Sequence, residues 1–316
     1  MPYALDTSAP FFVAGHRGLA GSALWRELHA RGFSSLIGRS SAELDLRDRA
    51  ATFDFFAASR PRTVVLAAAR VGGILANAAH PVQFLSDNLQ IQVNVLDAAH
   101  AHGVERLLFL GSSCVYPRLA AQPMREDSLL TGPLEPTNDA YAIAKIAGIM
   151  HVQALRREFG RAYISAMPSN LYGPNDTFDL QNSHVLPALI RRLDGARASG
   201  AATVTIAGTG RPRREFLHVD DLARACVFLL ENYDDDAPIN VGTGSDIAIG
   251  ELASLVARAV GFTGDILTDP TKPDGVPQKL LDVSRLRALG WTAQIELTDG
   301  IASTYEWYRD HAAVRG

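Results

Sequence analysis

The sequence predicts an α/β protein, with a doubly wound parallel sheet and a smaller second α/β domain. A short apolar run at residues 11–14 passes through a glycine-rich turn into a helix that Gly32 ends. Continuously apolar strands at 63–69 and 106–110 are separated by helical patterns, as in a parallel sheet covered on both faces. This strict alternation weakens after about residue 168. We therefore expect a different arrangement in the second half.

The composition limits the classes of protein to consider. The chain has 316 residues, of which 47% are hydrophobic and 20% charged, and its formal net charge is −4. That balance is ordinary for a globular protein and does not favour a nucleic-acid partner. Two cysteines are too few for a disulfide framework, and no leader peptide or membrane-length apolar run is apparent. We expect a cytoplasmic protein with neither nucleic acid nor membrane as a partner.

The glycine-rich turn predicts a dinucleotide site. Gly15, Gly18 and Gly21 lie between the first strand and the first helix, which is the context that makes such a triplet meaningful. Glycines allow a tight turn and let a pyrophosphate approach the backbone at the positive end of the helix. The first domain is therefore predicted to be of the Rossmann type.

Two arginines indicate which dinucleotide is preferred. Many NAD-binding units place an acidic residue after the second strand to hold the ribose 2′-hydroxyl, whereas an arginine suits a 2′-phosphate. Here that strand ends at Gly38 and is followed by Arg39, and Arg17 lies inside the glycine turn. The pattern favours NADPH, the alternative being that either arginine is a solvated surface residue. Ala68, in the apolar strand that follows, is also expected beside the cofactor.

Tyr141 and Lys145 form a candidate catalytic pair. They are four residues apart in an alanine-rich run, so on a helix they share one face. A nearby ammonium favours the phenolate, and this would lower the pKa of the tyrosine toward neutrality. The alternative is a core tyrosine beside a solvated lysine.

Ser112 and Cys114 follow the strand at 106–110. Ligands of doubly wound sheets bind beyond the carboxyl ends of the strands, so both side chains are expected where chemistry occurs. The alternative for Cys114 is an inert buried thiol. Cys226, within an apolar helix, is expected to be such a core residue. The histidines show no metal-ligand spacing, and we predict no metal site.

The second half divides between the two domains. The helix at 220–232 and the strand at 238–242 resemble a return to the first domain. We therefore assign residues 1–168 plus about 215–247 to the dinucleotide-binding domain. The substrate-binding domain takes about 169–214 plus 248–316, including a helix capped at Asn182 and a final amphipathic helix near 297–312.

These motifs together resemble the extended short-chain dehydrogenase/reductases, and within them the GDP-L-fucose synthases. The runs that carry the resemblance are AGHRGLAGSA, LAAARVGGI, FLGSSCVYP, EPTNDAYAIAKIAGI, NLYGPND, NSHVLPALIRR, REFLHVDD and KPDGVPQKLLD. The likeness extends from about Phe11 to Tyr308. The glycine turn and the Tyr/Lys pair occur throughout the superfamily, whereas SSC followed far downstream by NSH is much more specific.

The resemblance implies a bifunctional epimerase/reductase that acts on GDP-4-keto-6-deoxy-D-mannose with NADPH. Tyr141 would protonate the C4 oxygen, Lys145 would tune it and hold the nicotinamide ribose, and Ser112 would bond the same oxygen. Cys114 and His184 would be the base and acid of epimerisation, with His184 also near the cofactor.

The resemblance also implies how the GDP-sugar is bound and how the chain assembles. Asn170, Arg192, Arg214 and Lys279 resemble positions near the phosphates and guanosine. Ala207 departs from the pattern, because many relatives have a tryptophan there beside the guanine. A homodimer through two long helices of the first domain is the usual assembly.

The chemistry agrees with these roles. A C4 ketone acidifies the hydrogens on C3 and C5, so inversion needs a base, an acid on the other face and donors for the enolate oxygen. A thiol beside cations and an imidazole can supply the base and the acid. Two alternatives remain open: a nucleotide-sugar 4-epimerase or dehydratase on the same scaffold, and a non-catalytic dinucleotide sensor.

Overall fold

A computed structural model describes residues 3–179, 183–272 and 274–311, with the backbone alone at 74 and 75. Its strands are β1 Phe11–Ala14, β2 Leu36–Ile37, β3 Thr63–Leu66, β4 Arg106–Leu110, β5 Ala162–Pro168, β6 Asn170–Tyr172, β7 Thr203–Ala207, β8 Arg213–His218, β9 Ile239–Val241, β10 Asp246–Ala248, β11 Asp265–Asp269 and β12 Gln278–Lys279. Its helices are α1 Leu19–Ala30, α2 Arg49–Ser59, α3 Ile74–Ala79, α4 Pro81–Ala101, α5 Asp139–Phe159, α6 Val185–Ser199, α7 Val219–Asn232, α8 Ile249–Val260, α9 Ser284–Ala288 and α10 Leu297–His311.

A six-stranded parallel sheet forms the first half, in the order β2-β1-β3-β4-β5-β9. Successive residues of a strand point to opposite faces, and in β1 both sets are buried. Phe11 and Val13 pack on the side of α1 and α7, whereas Phe12 and Ala14 pack on the side of α2, α4 and α5. This two-sided burial explains the continuous apolar strands and confirms the predicted doubly wound fold.

A second, smaller unit has its own hydrophobic core. It contains residues of α6, β7, α8 and α10, among them Ile190, Ile206, Val256 and Ile301. Two small sheets belong to this half: β7 pairs with β11, while β8 pairs with β6, β10 and β12. Strand β8 then leads directly into α7, which packs on the first sheet.

The segment after β12 returns to the first sheet, which the sequence boundaries did not anticipate. Leu281 and Val283 pack in the core beside α4 and α5, and Leu286 and Trp291 pack in the core on the other face. The return is held by Asn240 of β9, whose amide donates to the carbonyls of Met124 and Asp282 at 3.0 Å each. Residues assigned from sequence to the second domain therefore contribute to the core of the first.

Most element ends agree with the sequence patterns. Asp48 caps α2 by accepting a hydrogen bond from the backbone N–H of Ala51, as expected for an aspartate at that position. Helix α6 begins at Val185, after an N-cap at His184. The predicted cap at Asn182 lies outside the described residues. In the described part of the chain, no helix is long and apolar enough to cross a membrane.

Arg106 is a buried cation that joins β4 to its neighbours. The residue is 1% exposed, and its guanidinium donates to the carbonyls of Ala162, Leu229, Leu230 and Tyr233. Burial lowers its pKa, since the charged form is separated from water. These bonds hold α7 and β5 against β4.

Replacing Arg106 with methionine should therefore destabilise the fold strongly. Several buried carbonyls would lose their donor, and we expect a loss of about 3 kcal/mol in the free energy of unfolding, measured by urea denaturation. The matched control is Arg125→Met, because the ion pair of Arg125 with Asp127 is exposed, and such pairs contribute about 0–1 kcal/mol. Equal unfolding midpoints for the two variants would contradict this role.

Candidate active site

The glycine turn after β1 is packed too closely against neighbouring backbone to accept side chains at Gly15 and Gly21. Gly15 has φ of +82°, and a Cβ there would approach the backbone of Ala68 to 2.8 Å. A Cβ on Gly21 would collide with the carbonyl of Gly15, to which the N–H of Gly18 donates at 3.0 Å. Helix α1 starts here without a side-chain cap, so its first N–H groups are available to an anionic ligand.

Two exposed arginines and one carboxylate meet at the end of β2. Glu43 accepts hydrogen bonds from the backbone and hydroxyl of Ser40 at 2.7 and 2.6 Å. These bonds, together with the charges of Arg17 and Arg39, lower the pKa of Glu43. We expected no acidic residue after β2 that could bind a ribose hydroxyl. Glu43 is present there, but its carboxylate is already hydrogen-bonded to Ser40 of the turn. The Ser-x-x-Glu spacing of a capping box was the signal for it.

Tyr141 and Ser112 are brought together where α5 begins beside the end of β4. The Ser112 hydroxyl accepts from the backbone N–H of Cys114 at 3.2 Å, and it lies close enough to the Tyr141 phenol to influence its pKa. We expected Lys145 to lower the pKa of this tyrosine. Instead, burial raises the pKa of Tyr141 and the nearby Cys114 charge adds to this, while Ser112 opposes it only partly. The phenol is therefore protonated at neutral pH.

Lys145 is buried beneath that phenol. The residue is 3% exposed, and its ammonium lies 5.8 Å from the Tyr141 ring centre and 4.8 Å from that of Phe109. It donates to the Leu110 carbonyl at 2.7 Å. Burial lowers the pKa of Lys145 to about 7, because a cation is costly in a dry environment. Desolvation thus outweighs attraction for both members of the predicted pair.

Cys114 lies between two donors from distant parts of the chain. The Lys279 ammonium and the Asn138 amide each donate to its Sγ at 3.3 Å. Burial alone would raise the pKa of this thiol, but Lys279, Ser112 and Asn138 outweigh it and the pKa lies below its ordinary value. Cys226 has no such partners among the described residues, and burial raises its pKa to about 12. Only Cys114 is therefore prepared to form a thiolate.

His184 lies at the start of α6 and is accessible to solvent. Partial desolvation by the surrounding protein and the charge of Lys279 lower its pKa. The charge of Lys279 thus acts on both the Cys114 thiol and the His184 imidazole.

The predicted phosphate-site residues fall into two groups. Asn170 of β6 donates to the Glu215 carbonyl at 2.7 Å, and Arg214 of β8 is the register partner of Lys279. These three side chains therefore belong to one small sheet. Arg192, by contrast, is an exposed residue of α6 whose guanidinium donates to the Thr205 carbonyl at 3.0 Å. Among the described residues, no group of three His, Cys, Asp or Glu side chains could hold a metal ion.

Comparisons with known proteins agree with this geometry. The model of the NAD dependent epimerase/dehydratase family matches residues 11–242. The chain is 56% identical to GDP-L-fucose synthase 1 of Arabidopsis thaliana, over 96% of this chain and 94% of that protein. It is 52% identical to GDP-L-fucose synthase of Escherichia coli, over 95% and 96%. The chain belongs to the GDP-L-fucose synthase family.

A solved relative of the GDP-L-fucose synthase family shares the whole architecture. The GDP-L-fucose synthetase of Naegleria fowleri, crystallised with NADP, is 28% identical and superimposes with a TM-score of 0.92. The superposition covers 100% of this chain and 98% of that one. Both the sheet topology and the following smaller unit are therefore typical of the family.

Within this GDP-L-fucose synthase framework, sequence reasoning missed two contacts to Cys114. Asn138 is the last residue before α5. It lies near the thiol because it directly precedes the helix that carries Tyr141. Lys279 was expected only at the substrate phosphates, yet its ammonium lies on the sulfur. No local pattern signals this second contact, since the two residues are 165 positions apart.

Proposed function

We propose that this protein converts GDP-4-keto-6-deoxy-D-mannose to GDP-L-fucose, by epimerisation at C3 and C5 followed by NADPH-dependent reduction at C4. The observation that carries the proposal is the cluster at the end of β4. There a hydroxyl pair, Ser112 and Tyr141, adjoins a thiol with a lowered pKa. Relatives of the same activity by name, at 52% and 56% identity over nearly their full lengths, support it.

The residues present fit NADPH. The turn at Gly15, Gly18 and Gly21 would let a pyrophosphate approach the backbone at the uncapped start of α1. Arg17 and Arg39 would pair with a 2′-phosphate, since Glu43 is engaged by the turn. Ala68, against Gly15, would lie beside the cofactor, and Lys145 and His184 would contact it from the catalytic side. NADPH, when bound, supplies the hydride for C4.

In the epimerisation, Cys114 acts as the base. Its thiolate takes the proton from a carbon next to the C4 carbonyl, and the electron pair moves to the carbonyl oxygen. Tyr141 and Ser112 hold that enolate oxygen by hydrogen bonds. His184 returns a proton from the opposite face, which inverts the centre. The thiol then releases its proton to solvent and the imidazole takes one up, and the same step follows at the second carbon.

In the reduction, Tyr141 acts as the acid. Its raised pKa keeps the phenol protonated until the C4 oxygen gains negative charge. Ser112 orients the oxygen during the proton transfer. Both reactions therefore use the same pair of donors on the same oxygen, which explains how one site performs both.

The diphosphate of the substrate would bind at the edge of the small sheet, near Asn170, Arg214 and Lys279, with Arg192 on the neighbouring helix. Burial lowers the pKa of Arg214, and the charge of Glu135 only partly offsets this. A phosphate would therefore be a favourable partner for this partly desolvated guanidinium. Ala207, an exposed residue at the end of β7, leaves space where a tryptophan would lie against the guanine.

The domain division is part of the proposal. Residues 1–168 plus about 215–247 would hold the dinucleotide, and about 169–214 plus 248–316 the nucleotide sugar. The separate core formed by α6, β7, α8 and α10 supports this division. Residues 281–291 are the exception in packing, since they lie against the first sheet.

A homodimer is also proposed, through α4 and α5. Ile143 and Met150, two helical turns apart on α5, are 47% and 39% exposed. Val82 and Val93 share a face of α4 and are exposed as well. Covering such apolar stripes favours association. A cytoplasmic location is proposed too, because both cysteines are free thiols and reduction draws on NADPH.

The activity is tested by incubating purified protein with a panel of keto-deoxy nucleotide sugars. With GDP-4-keto-6-deoxy-D-mannose we expect stoichiometric oxidation of NADPH and formation of GDP-L-fucose, with NADH much less effective. UDP- and dTDP-linked analogues serve as controls for recognition of the guanine base of the substrate. No oxidation with the GDP-sugar, or turnover without net use of NADPH, would reject the proposal, the latter in favour of a 4-epimerase.

Two variants should separate the half-reactions. Cys114→Ser should reduce solvent deuterium uptake at C3 and C5 by about 10²-fold or more, the usual contribution of a general base, and slow C4 reduction less. Tyr141→Phe should lose reduction while retaining part of the exchange. Mass spectrometry of recovered nucleotide sugar and NADPH oxidation measure the two steps. Parallel losses in both variants would argue against separate roles.

Arg39→Ala should weaken binding of NADPH but not of NADH. Loss of a charged hydrogen bond to the 2′-phosphate costs about 1.5 kcal/mol or more, so the Kd for NADPH should rise about tenfold. Quenching of protein fluorescence by each dinucleotide gives both constants. Arg31→Ala, an exposed arginine paired with Glu27, is the matched control. An equal rise in the Kd for NADH would show that Arg39 does not bind the 2′-phosphate.

A further inference from the structure

Lys279 reaches Cys114 from the far end of the chain. Its ammonium lies 3.3 Å from Sγ of Cys114, although strand β12, which carries it, pairs with β8 of the small sheet. Asn138 approaches the same sulfur at 3.3 Å as a neutral donor. Lys279 is therefore the cation in direct contact with the thiol among the described residues.

The backbone on either side of this contact is held firmly. The N–H of Leu280 donates to the Gln122 side chain at 2.9 Å, and that of Leu281 donates to Glu215 at 2.9 Å. The N–H of Asp282 donates to the Met124 carbonyl at 2.8 Å. A lysine side chain is long and flexible, so such anchoring of the following residues limits where its ammonium can lie.

The choice of lysine is itself informative. The chain has three lysines, Lys145, Lys272 and Lys279, and otherwise uses arginine for its basic side chains. An ammonium is a compact point charge, whereas a guanidinium is a broad fork suited to two oxygen acceptors. A single sulfur atom is better matched by the point charge.

We infer that Lys279 is a catalytic residue of the epimerisation, in which its ammonium, 3.3 Å from Sγ of Cys114, stabilises the thiolate that removes the protons from C3 and C5. The inference rests on the proposed function for its catalytic meaning. After the proton has moved from carbon to sulfur, the thiol is neutral and no longer neutralises the positive charge of the ammonium. The same charge then favours return of the thiol to its thiolate form.

The charges around the thiol support this assignment. Burial opposes ionisation of Cys114, and the coulombic effect of Lys279 is the largest opposing influence, ahead of Ser112 and Asn138. Tyr141, the neighbouring titratable group, is protonated and contributes no charge at neutral pH. His184 feels the same ammonium, which lowers its pKa together with desolvation. A phosphate role alone would not require Lys279 to contact sulfur.

The test measures the ionisation of Cys114 without substrate. Iodoacetamide is used to alkylate four proteins: wild type, Lys279→Met, Lys279→Arg and Lys272→Met. The reaction is followed between about pH 5 and pH 10, roughly the range over which protein thiols titrate. Mass spectrometry identifies the modified cysteine. Lys279→Met should raise the midpoint of Cys114 alkylation by about one to three pH units. Lys279→Arg should keep the midpoint close to that of wild type, since it retains the charge.

Two controls make the result interpretable. Lys272→Met is the same substitution at an exposed lysine of the same region and should leave the midpoint unchanged. Cys226 is 1% exposed, so its lack of modification shows that each variant remains folded. An unchanged midpoint in Lys279→Met, or an equal shift in Lys272→Met, would overturn the inference.

The catalytic meaning is tested separately with the GDP-sugar. Deuterium uptake at C3 and C5 by Lys279→Met should be low at neutral pH and recover as the pH rises, because a higher pH restores the thiolate. A residue that only binds phosphate would raise the KM and the Kd for GDP while leaving the pH profile unchanged, and that outcome would overturn the catalytic role. If wild type itself shows no turnover while the alkylation midpoint shifts, the proposed function fails and the charge pairing stands.

Discussion

The return of residues 281–283 to the first sheet, directly after β12, is the constraint on which the site depends. Two buried polar side chains hold it: Glu215 accepts from the N–H of Leu281, and Asn240 donates to the carbonyl of Asp282. Glu215 is fully buried, and burial raises its pKa although backbone donors at Thr243, Gly244 and Leu281 oppose the shift. A buried carboxyl is costly unless it is hydrogen-bonded. By accepting from Leu281, Glu215 fixes the backbone two residues after Lys279, whose ammonium contacts the thiol.

Burial shifts the pKa of each titratable group of the site, and the neighbouring groups decide whether that shift persists. For Lys145 burial prevails, because its nearest partner is the neutral carbonyl of Leu110. For Tyr141 burial prevails as well, and a neighbouring negative charge adds to it. For Cys114 burial is the largest single influence, but Lys279, Ser112 and Asn138 together outweigh it. A full positive charge at 3.3 Å, with further hydrogen-bond donors beside it, offsets the desolvation of a sulfur anion, whereas a single carbonyl does not offset the desolvation of an ammonium.

Local patterns could predict the fold, since the information needed was local. The apolar run at Phe11–Ala14 is buried on both faces, Asp48 caps α2 as its residue type requires, and the carboxyl ends of β1, β3 and β4 bring their loops to one edge. Ser112 and Tyr141 meet for the same reason. The contact of Lys279 with Cys114 could not be predicted in this way. It depends on how β12 pairs with β8, on the hydrogen bond that Glu215 accepts and on the one that Asn240 donates, none of which leaves a periodic signal in the sequence. The direction of the Tyr141 shift was missed for a related reason, because helical spacing shows that two side chains share a face but not how dry that face is.

The two reactions need neighbouring groups in opposite protonation states, and the site couples them. Epimerisation needs a thiol that has lost its proton, and reduction needs a phenol that has kept one. Lys279 lowers the pKa of Cys114, and the resulting thiolate raises the pKa of Tyr141 beyond the effect of burial. One ammonium therefore favours both required states, directly at the sulfur and indirectly at the phenol. The Ser112 hydroxyl acts on both the thiol and the phenol, and its single proton can be donated to only one of them at a time. An enolate oxygen that took the Ser112 hydroxyl as a donor would leave Lys279 and Asn138 as the donors at the sulfur.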